Sequence, residues 1–235
     1  MTITPSAPAV NALIDRLSRT ERGEFVAGAE SVDLTFGTIL CEPGETYRHV
    51  YFPLTGFISL VARVSHQQPL EMGLIGSEGM LGVTLVLGVS EAPLRGVVQG
   101  DGTALRMSAS KFQRAVRESP SLRSTHCRYL YVLMAQLSQT AACTRFHHIE
   151  ARLARWLLMT HDRAHADHFY LTHQFLADML GVQRSAVSIA AGALQRRQLI
   201  RYTRGEIKIL ARKGLEAVAC ECYAAVRDDY AQIFI

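Results

Sequence analysis

Between residues 171 and 210 the chain reads LTHQFLADMLGVQRSAVSIAAGALQRRQLIRYTRGEIKIL, and it changes period there in a way that few folds allow. Phe175, Leu176, Met179 and Leu180 recur at helical spacing behind Thr172, whose hydroxyl suits a helix N-cap. Gly181 follows at once. A glycine supplies the left-handed backbone that helix exits favour, so Gly181-Val182-Gln183 can reverse the chain and a second helix can start at Arg184. That helix turns Val187, Ala190, Ala191, Leu194 and Leu199 inward and shows Arg184, Ser185, Ser188 and Arg196 outward. After Leu199-Ile200, Arg201-Tyr202-Thr203 and Glu206-Ile207-Lys208-Ile209-Leu210 alternate around Arg204-Gly205 as a two-stranded hairpin. Helix, tight turn, helix and hairpin describe a winged helix-turn-helix. Short polar side chains beside an arginine at the start of an exposed helix suit a DNA major groove, where arginine bridges guanine O6 and N7.

Charge is concentrated on the same segment. Residues 1–144 balance, residues 145–213 carry 12 basic against 5 acidic side chains, a net +7, and residues 214–235 carry a net −3. Clustered positive charge is the footprint of phosphate binding, because counterions released from the duplex supply most of the non-specific affinity. A purely structural or protein-binding module offers no reason for it.

Upstream the texture is different. Val10, Leu13, Ile14 and Leu17 lie on one face of a short helical lead-in over residues 9–27. From Val32 to about Met107, short apolar runs at 38–40, 50–52, 57–61, 72–75, 96–98 and 104–107 are divided by turn residues such as Pro43-Gly44, Pro53, Gln68-Pro69 and Asp101-Gly102. Many short strands at close spacing predict an antiparallel roll or barrel. Ser110 can cap a short helix to Arg117, and Ser119-Pro120 starts a long one in which Leu130, Leu133, Leu137 and Ala141 form a stripe suited to a partner helix. A break near Thr144-Arg145 precedes a helix from His148 to His161 that buries Ile149, Leu153, Trp156 and Leu157. The expected class is α+β. It comprises an amino-terminal antiparallel β-roll with its lead-in (1–118), a dimerisation helix (119–144), and a winged helix-turn-helix with a helical tail (145–235).

At 235 residues, 49% apolar and 20% charged, the chain has an ordinary soluble composition with enough length for two domains. No stretch approaches the ~18 uninterrupted apolar residues of a membrane helix, and MTITPSAPAV lacks the features of a secretion signal. Five cysteines without a regular framework fit a reducing cytoplasm.

The order of roll, long helix and winged helix-turn-helix resembles the Crp/Fnr family of bacterial transcription regulators, which includes the catabolite activator protein. LTHQFLADMLGVQRSAVSIAAGALQRRQLI is similar to that family's helix-turn-helix motif, and Phe36-Gly37 to Gly44-Glu45, Val50-Tyr51-Phe52 with Gly56, and Ile75 to Gly82 resemble its roll. The resemblance implies a homodimer on a palindromic duplex operator, with RNA polymerase as a further partner where the protein activates. The DNA contacts it implies are Thr172, His173, Gln174, Gln183, Arg184, Ser185, Ser188 and Arg204. The implied seam is Leu130, Leu133 and Leu137. The family's arginine-reading pattern departs at Ser185, which replaces a glutamate, and at Ile189, which replaces an arginine, so the operator is expected to differ from the catabolite activator's.

In cyclic-AMP-binding members a Gly-Glu-Leu turn holds the ribose and an Arg-Ser pair the phosphate. Here the corresponding stretches resemble Ser77-Glu78-Gly79-Met80 and Leu94-Arg95-Gly96, and the adenine-contacting Thr-Ser pair resembles Leu137-Ser138. Glu78, Gly79, Arg95 and Ser138 are the candidate effector contacts. A leucine in place of the phosphate's arginine leaves a partly buried charge unneutralised, so cyclic AMP is not the expected effector. A cyclic-nucleotide-responsive regulator is the alternative.

Other chemistries find little support. An iron–sulfur cluster needs gathered cysteines, whereas Cys41, Cys127, Cys143, Cys220 and Cys222 are scattered. Cys220 and Cys222, placed on a carboxy-terminal helix, are expected to point to different faces and to serve packing. His161 and His165 have the spacing of two ligands on one helical turn, but helix-end or phosphate contacts suit them as well. A cupin-type metal enzyme would need a His-x-His pair in a roll that holds only His49 and His66. Nucleophile elbows and phosphate loops are absent. The expectation is a regulator without catalytic residues, metal or cofactor, answering to an unidentified effector.

Overall fold

The computed structural model describes residues 10–65, 67–164 and 166–234, so that His66 and His165 lie outside the described residues. The chain forms two compact units. One runs to Ile58 and resumes over Ile75–Leu130; the other joins Ser59–Leu74 to the chain from Tyr131 onward.

The lead-in is two helices, α1 (Ala12–Asp15) and α2 (Arg19–Ala27). Asn11 pins the first. Its Oδ1 accepts from the Leu13 N–H at 3.0 Å, and its Nδ2 donates to the carbonyls of Pro53 and Gly79 at 3.0 and 2.8 Å. Leu13, Ile14 and Leu17 are buried as expected, but Val10 is exposed because it precedes the helix. Ser18 and Glu21 form a capping box at the start of α2.

Seven strands follow: β1 (Glu30–Leu34), β2 (Ile39–Cys41), β3 (His49–Pro53), β4 (Phe57–Ala62), β5 (Leu70–Ile75), β6 (Arg95–Gly100) and β7 (Gly102–Ser108). β7 is central to an antiparallel sheet in the order β1-β7-β3, with Val32 opposite Ala104 and Phe52 opposite Leu105. β2 pairs antiparallel with β6, and β4 lies beside β5. The predicted runs correspond to β2 through β7. β1 was not anticipated as a full strand, since Leu34 is its one buried residue.

The short helix α3 is Ala109–Glu118, so Ser108 rather than Ser110 stands at its N-cap. The long helix α4 is Pro120–Phe146, with proline at its first position and the Ser119 hydroxyl accepting from the Leu122 N–H at 3.1 Å. Glu21 reaches the same end and accepts from Ser119 and Ser121 at 2.7 and 2.6 Å. The break comes at His147-His148, three residues later than the expected one, before α5 (Ile149–Ala164). Leu153, Trp156 and Leu157 on α5 are buried, whereas Ile149 is half-buried. On α4, Leu133 is only 7% exposed and belongs to the chain's own core, which corrects its assignment to the seam. Leu130 and Leu137 are half-buried, and the open apolar positions beside them are Tyr131 and Met134, both 59% exposed.

The remainder comprises β8 (His168–Tyr170), α6 (His173–Leu180), α7 (Arg184–Arg196), β9 (Ile200–Thr203), β10 (Glu206–Ile209), α8 (Arg212–Val218) and α9 (Cys222–Ile233). The wing has three strands, in the order β8-β10-β9. β8 escaped the sequence reading because three residues carry no period. α7 ends at Arg196, so Leu199 is buried in the connection to β9 rather than on the helix. Among the described residues, no helix is long and apolar enough to cross a membrane.

Glu71 on β5 is buried within this second unit. One carboxylate oxygen accepts from the Ser59 hydroxyl at 2.6 Å and the other from the Trp156 indole N–H at 2.8 Å. Burial pushes its pKa from 4.5 up to about 7, against the pull of those two hydrogen bonds and of Arg155 and Arg163. The folded chain therefore keeps a proton that the unfolded chain has already released. Stability is expected to fall as pH rises from 4.5 to about 7 and to level off above. Glu71→Gln keeps an acceptor for Trp156 and turns an uncharged N–H toward the Ser59 hydroxyl, which then accepts instead of donating. In urea titrations across this window the variant should lose that slope, and at pH 8 it should exceed the parent by about 2–3 kcal/mol.

Candidate nucleic-acid interface

The helix pair α6–α7 is held from beneath by α5. The Arg152 guanidinium, buried, donates to the carbonyl of Leu180 at the end of α6. Thr172 caps the other end, accepting from the Phe175 N–H at 3.1 Å. Gly181 has φ +61 and ψ 42, the left-handed exit expected of it, and a Cβ there would stand 2.9 Å from Leu70 Cδ1. The chain then re-enters a helix at Arg184 after Gln183.

α7 buries Val187, Ala190, Ala191 and Leu194. Gln183, Arg184, Ser185, Ser188 and Ile189 are exposed on the other face. Ile189 is 71% exposed. In sequence this residue stands out only as the replacement of an arginine.

Two of the expected contacts are turned toward each other. The His173 Nδ1 lies 2.8 Å from the Ser188 hydroxyl, which in turn donates to the Arg184 carbonyl at 3.1 Å. With its one proton given to that carbonyl, Ser188 accepts from the His173 Nδ1–H. The His173 ring also stacks on Tyr202 of β9, with centroids 4.1 Å apart and planes at 19°. Burial, and then the charge of Arg184, hold its pKa below the usual histidine value, so the ring is neutral near pH 7. His173 thus ties α6, α7 and the wing together. Gln174 on the exposed side donates to Asp178 at 2.8 Å.

The wing turn is Arg204-Gly205, with φ of +51 and +92, the pair of positive values that a two-residue hairpin of this hand requires. Gly205 is packed against the Tyr170 ring, where a Cβ would stand at 3.2 Å, and its carbonyl accepts from the Leu171 N–H at 2.6 Å. Arg204 is carried outward at the tip, with Arg201, Thr203 and Lys208 exposed beside it. Gln195 Oε1 accepts from the Tyr202 N–H at 2.8 Å and fixes the wing to α7.

Of the residues weighed for an effector, Arg95, Gly79 and Glu78 are engaged within the chain. Arg95 makes a two-point ion pair with Glu42, at 2.9 and 2.5 Å, which neutralises the one cation offered to an anionic ligand. Gly79 is pressed against Tyr129, where a Cβ would collide with the phenol oxygen. Glu78 accepts from the Gly76 N–H at 3.1 Å. Ser138 is exposed on α4.

His161 cannot serve as half of a ligand pair. Its Nδ1 accepts from Arg212 and its Nε2 bonds Asp167 at 2.8 Å. The expectation that Cys220 and Cys222 diverge on one helix is corrected, because α9 begins at Cys222 and Cys220 precedes it. Both are buried and both meet Cys143 and Ala151. Among the described residues one group of metal-capable side chains converges, Cys143, His147, Cys220 and Cys222.

Residues 151–218 match the family described as the Crp-like helix-turn-helix domain. The chain carries a Crp-like helix-turn-helix domain. Its fold is that of Crp/Fnr regulators over most of the length. FixK2 of Bradyrhizobium japonicum is 15% identical, with a TM-score of 0.69 over 82% of this chain and 98% of that one. The c-di-GMP-responsive global regulator CLP of Xanthomonas campestris is 16% identical, with a TM-score of 0.67 over 82% and 99%. A Crp/Fnr-family transcriptional regulator of Thermus thermophilus is 23% identical, with a TM-score of 0.67 over 81% and 98%. No curated protein sequence matches the chain. On this domain the exposed face of α7 lies beside the basic wing.

Proposed function

We propose that the protein is a sequence-specific transcription regulator that binds a palindromic operator as a homodimer. The observation that carries this is the face of α7. Gln183, Arg184, Ser185 and Ile189 stand clear of the core beside a positively charged wing, on a domain of the Crp-like family. Arg184 reads guanine, Ile189 contacts a thymine methyl, and Arg204 at the wing tip takes a phosphate. Ser188 and His173 act by positioning, since each is bonded to the other.

Selection of sites from a random duplex pool should return an inverted repeat distinct from the catabolite activator's consensus. Arg184→Ala should weaken binding to it by about 1–3 kcal/mol and relax one base position per half-site. Arg204→Ala should weaken all sequences alike and reduce the salt slope by about one. Recovery of no enriched site would refute sequence-specific reading.

Dimerisation through α4 is supported by the stripe of half-buried Leu130 and Leu137 with exposed Met134 and Ala141, whose steps of four, three and four are those of a heptad seam. Charges placed there would be buried without partners. Met134→Glu with Leu137→Glu should give monomers in sedimentation and abolish operator binding. A double variant that remains dimeric would move the seam elsewhere.

The amino-terminal roll answers to a signal other than cyclic AMP. Its arginine is already neutralised by Glu42 and its glycine turn is filled by Tyr129. An effector must change operator affinity by the factor by which operator changes effector affinity. Calorimetry with cyclic AMP is expected to show no binding at micromolar concentration. Micromolar binding linked to tenfold tighter operator binding would establish the cyclic-nucleotide reading instead.

A further inference from the structure

We propose that Cys143, His147, Cys220 and Cys222 bind a single zinc ion in a closed tetrahedral site that joins the end of α4 to the start of α9. Cys143 and His147 are one helical turn apart where α4 gives out, and the His147 N–H still bonds to the Cys143 carbonyl at 3.1 Å. Cys220 and Cys222 flank Glu221, which precedes α9 with φ −53 and ψ −20. That tight turn brings both thiols to one side.

The four ligand atoms lie within 4.8 Å of one another. Zinc bound at about 2.3 Å to sulfur and about 2.0 Å to nitrogen in a tetrahedron sets S···S edges of about 3.8 Å and S···N edges of about 3.5 Å. The sulfurs of Cys143 and Cys220 are 3.5 Å apart, and the Cys222 sulfur is 3.4 Å from His147 Nδ1. Both are within a few tenths of an ångström of the corresponding edges. A disulfide would need sulfurs at about 2.05 Å, and all the cysteines are free.

The surroundings are those of a ligand set rather than of apolar packing. His147 Nε2 lies 3.0 Å from the Glu221 carboxylate. Donation of Nε2–H to Glu221 leaves the Nδ1 lone pair directed at the thiols, the arrangement by which a carboxylate orients a metal-bound imidazole. Gln139 donates an N–H to the Cys222 sulfur at 2.9 Å, a bond suited to a thiolate. Three thiolates with a divalent ion leave one negative charge, and Arg155 on the buried side of α5 directs positive charge toward Cys143. Cys143, Cys220 and Cys222 are all under 8% exposed. Four protein ligands leave no open position, so the site is structural rather than catalytic. It would staple the tail to the turn between α4 and α5, the helix on which the reader is mounted.

The full chain, produced with zinc in the medium and purified under reducing conditions without chelator, should carry one zinc per chain by elemental analysis. An organomercurial should release that zinc as three thiols are consumed. Exchange for cobalt should give the intense visible d–d bands and sulfur-to-metal charge transfer of a tetrahedral thiolate site. His147→Ala and Cys222→Ser should drop zinc below a tenth per chain and lower Tm, while Cys127→Ser keeps it. Because the metal content and cobalt spectrum are read on the unaltered chain, failure of a variant to fold does not blunt the test. Three results would overturn the proposal: a zinc-supplied chain holding under a tenth of an equivalent, a Cys143–Cys220 disulfide in the non-reduced protein, or iron with inorganic sulfide at the site.

Discussion

Leu180 ends α6 with carbonyls that no helical N–H can reach, and one of them is met by the guanidinium of Arg152 from inside α5. Burial costs that arginine some of its preference for the charged form. Neither group has water to fall back on, so the bond fixes where α6 stops relative to α5. Gly181 then turns the chain within one residue, and the Val182 N–H closes the turn on the Ala177 carbonyl at 3.0 Å. With the end of α6 and the exit angle both set, the start of α7 has little freedom left. The exposure of Arg184 and Ile189 follows from a bond made on the opposite side of the motif. The His173–Tyr202 stack and the Gln195–Tyr202 bond then bring the wing into the same rigid piece.

The parts of this arrangement visible in sequence were those decided over a few residues. Thr172 as cap, Gly181 as exit and Arg204-Gly205 as hairpin turn each rest on local backbone preference, and each stands where the residues pointed. The long helix was equally plain in extent, yet its faces were not. α4 carries apolar residues on more than one side, and a period of 3.6 cannot say which stripe faces the chain's own core. Leu133 was placed outward for that reason, while Met134 stands open in its stead. β8 and β1 escaped because three residues have no period and because Glu30, Ser31 and Asp33 blunt the alternation.

The cysteines mark the sharper limit. Cys143 and Cys220 are 77 residues apart, and nothing in either neighbourhood announces the other. A helical assignment for Cys220-Glu221-Cys222 separates two thiols that a start of α9 only at Cys222 brings together. Among the DNA contacts the same distinction recurs. Arg184 and Ser185 could be placed from their position on α7, but the mutual bond of His173 and Ser188 joins two helices and becomes visible only in three dimensions.

Glu71 ties the strand pair β4–β5 to α5 through two hydrogen bonds made by one carboxyl group. Its carboxyl group accepts from Ser59 on β4 and from Trp156 on α5, so one buried side chain spans the strand pair and the helix that carries Arg152. Pulling β5 away from α5 would strand both a carboxyl group and an indole N–H in an interior that cannot solvate them, at a cost of about 1–3 kcal/mol for each. Small displacements are therefore resisted, and a displacement large enough to break the bond must find other partners for both groups. An interior joint of that kind favours discrete arrangements over a continuum of small shifts, and it holds β5 in register with the helix that carries Arg152.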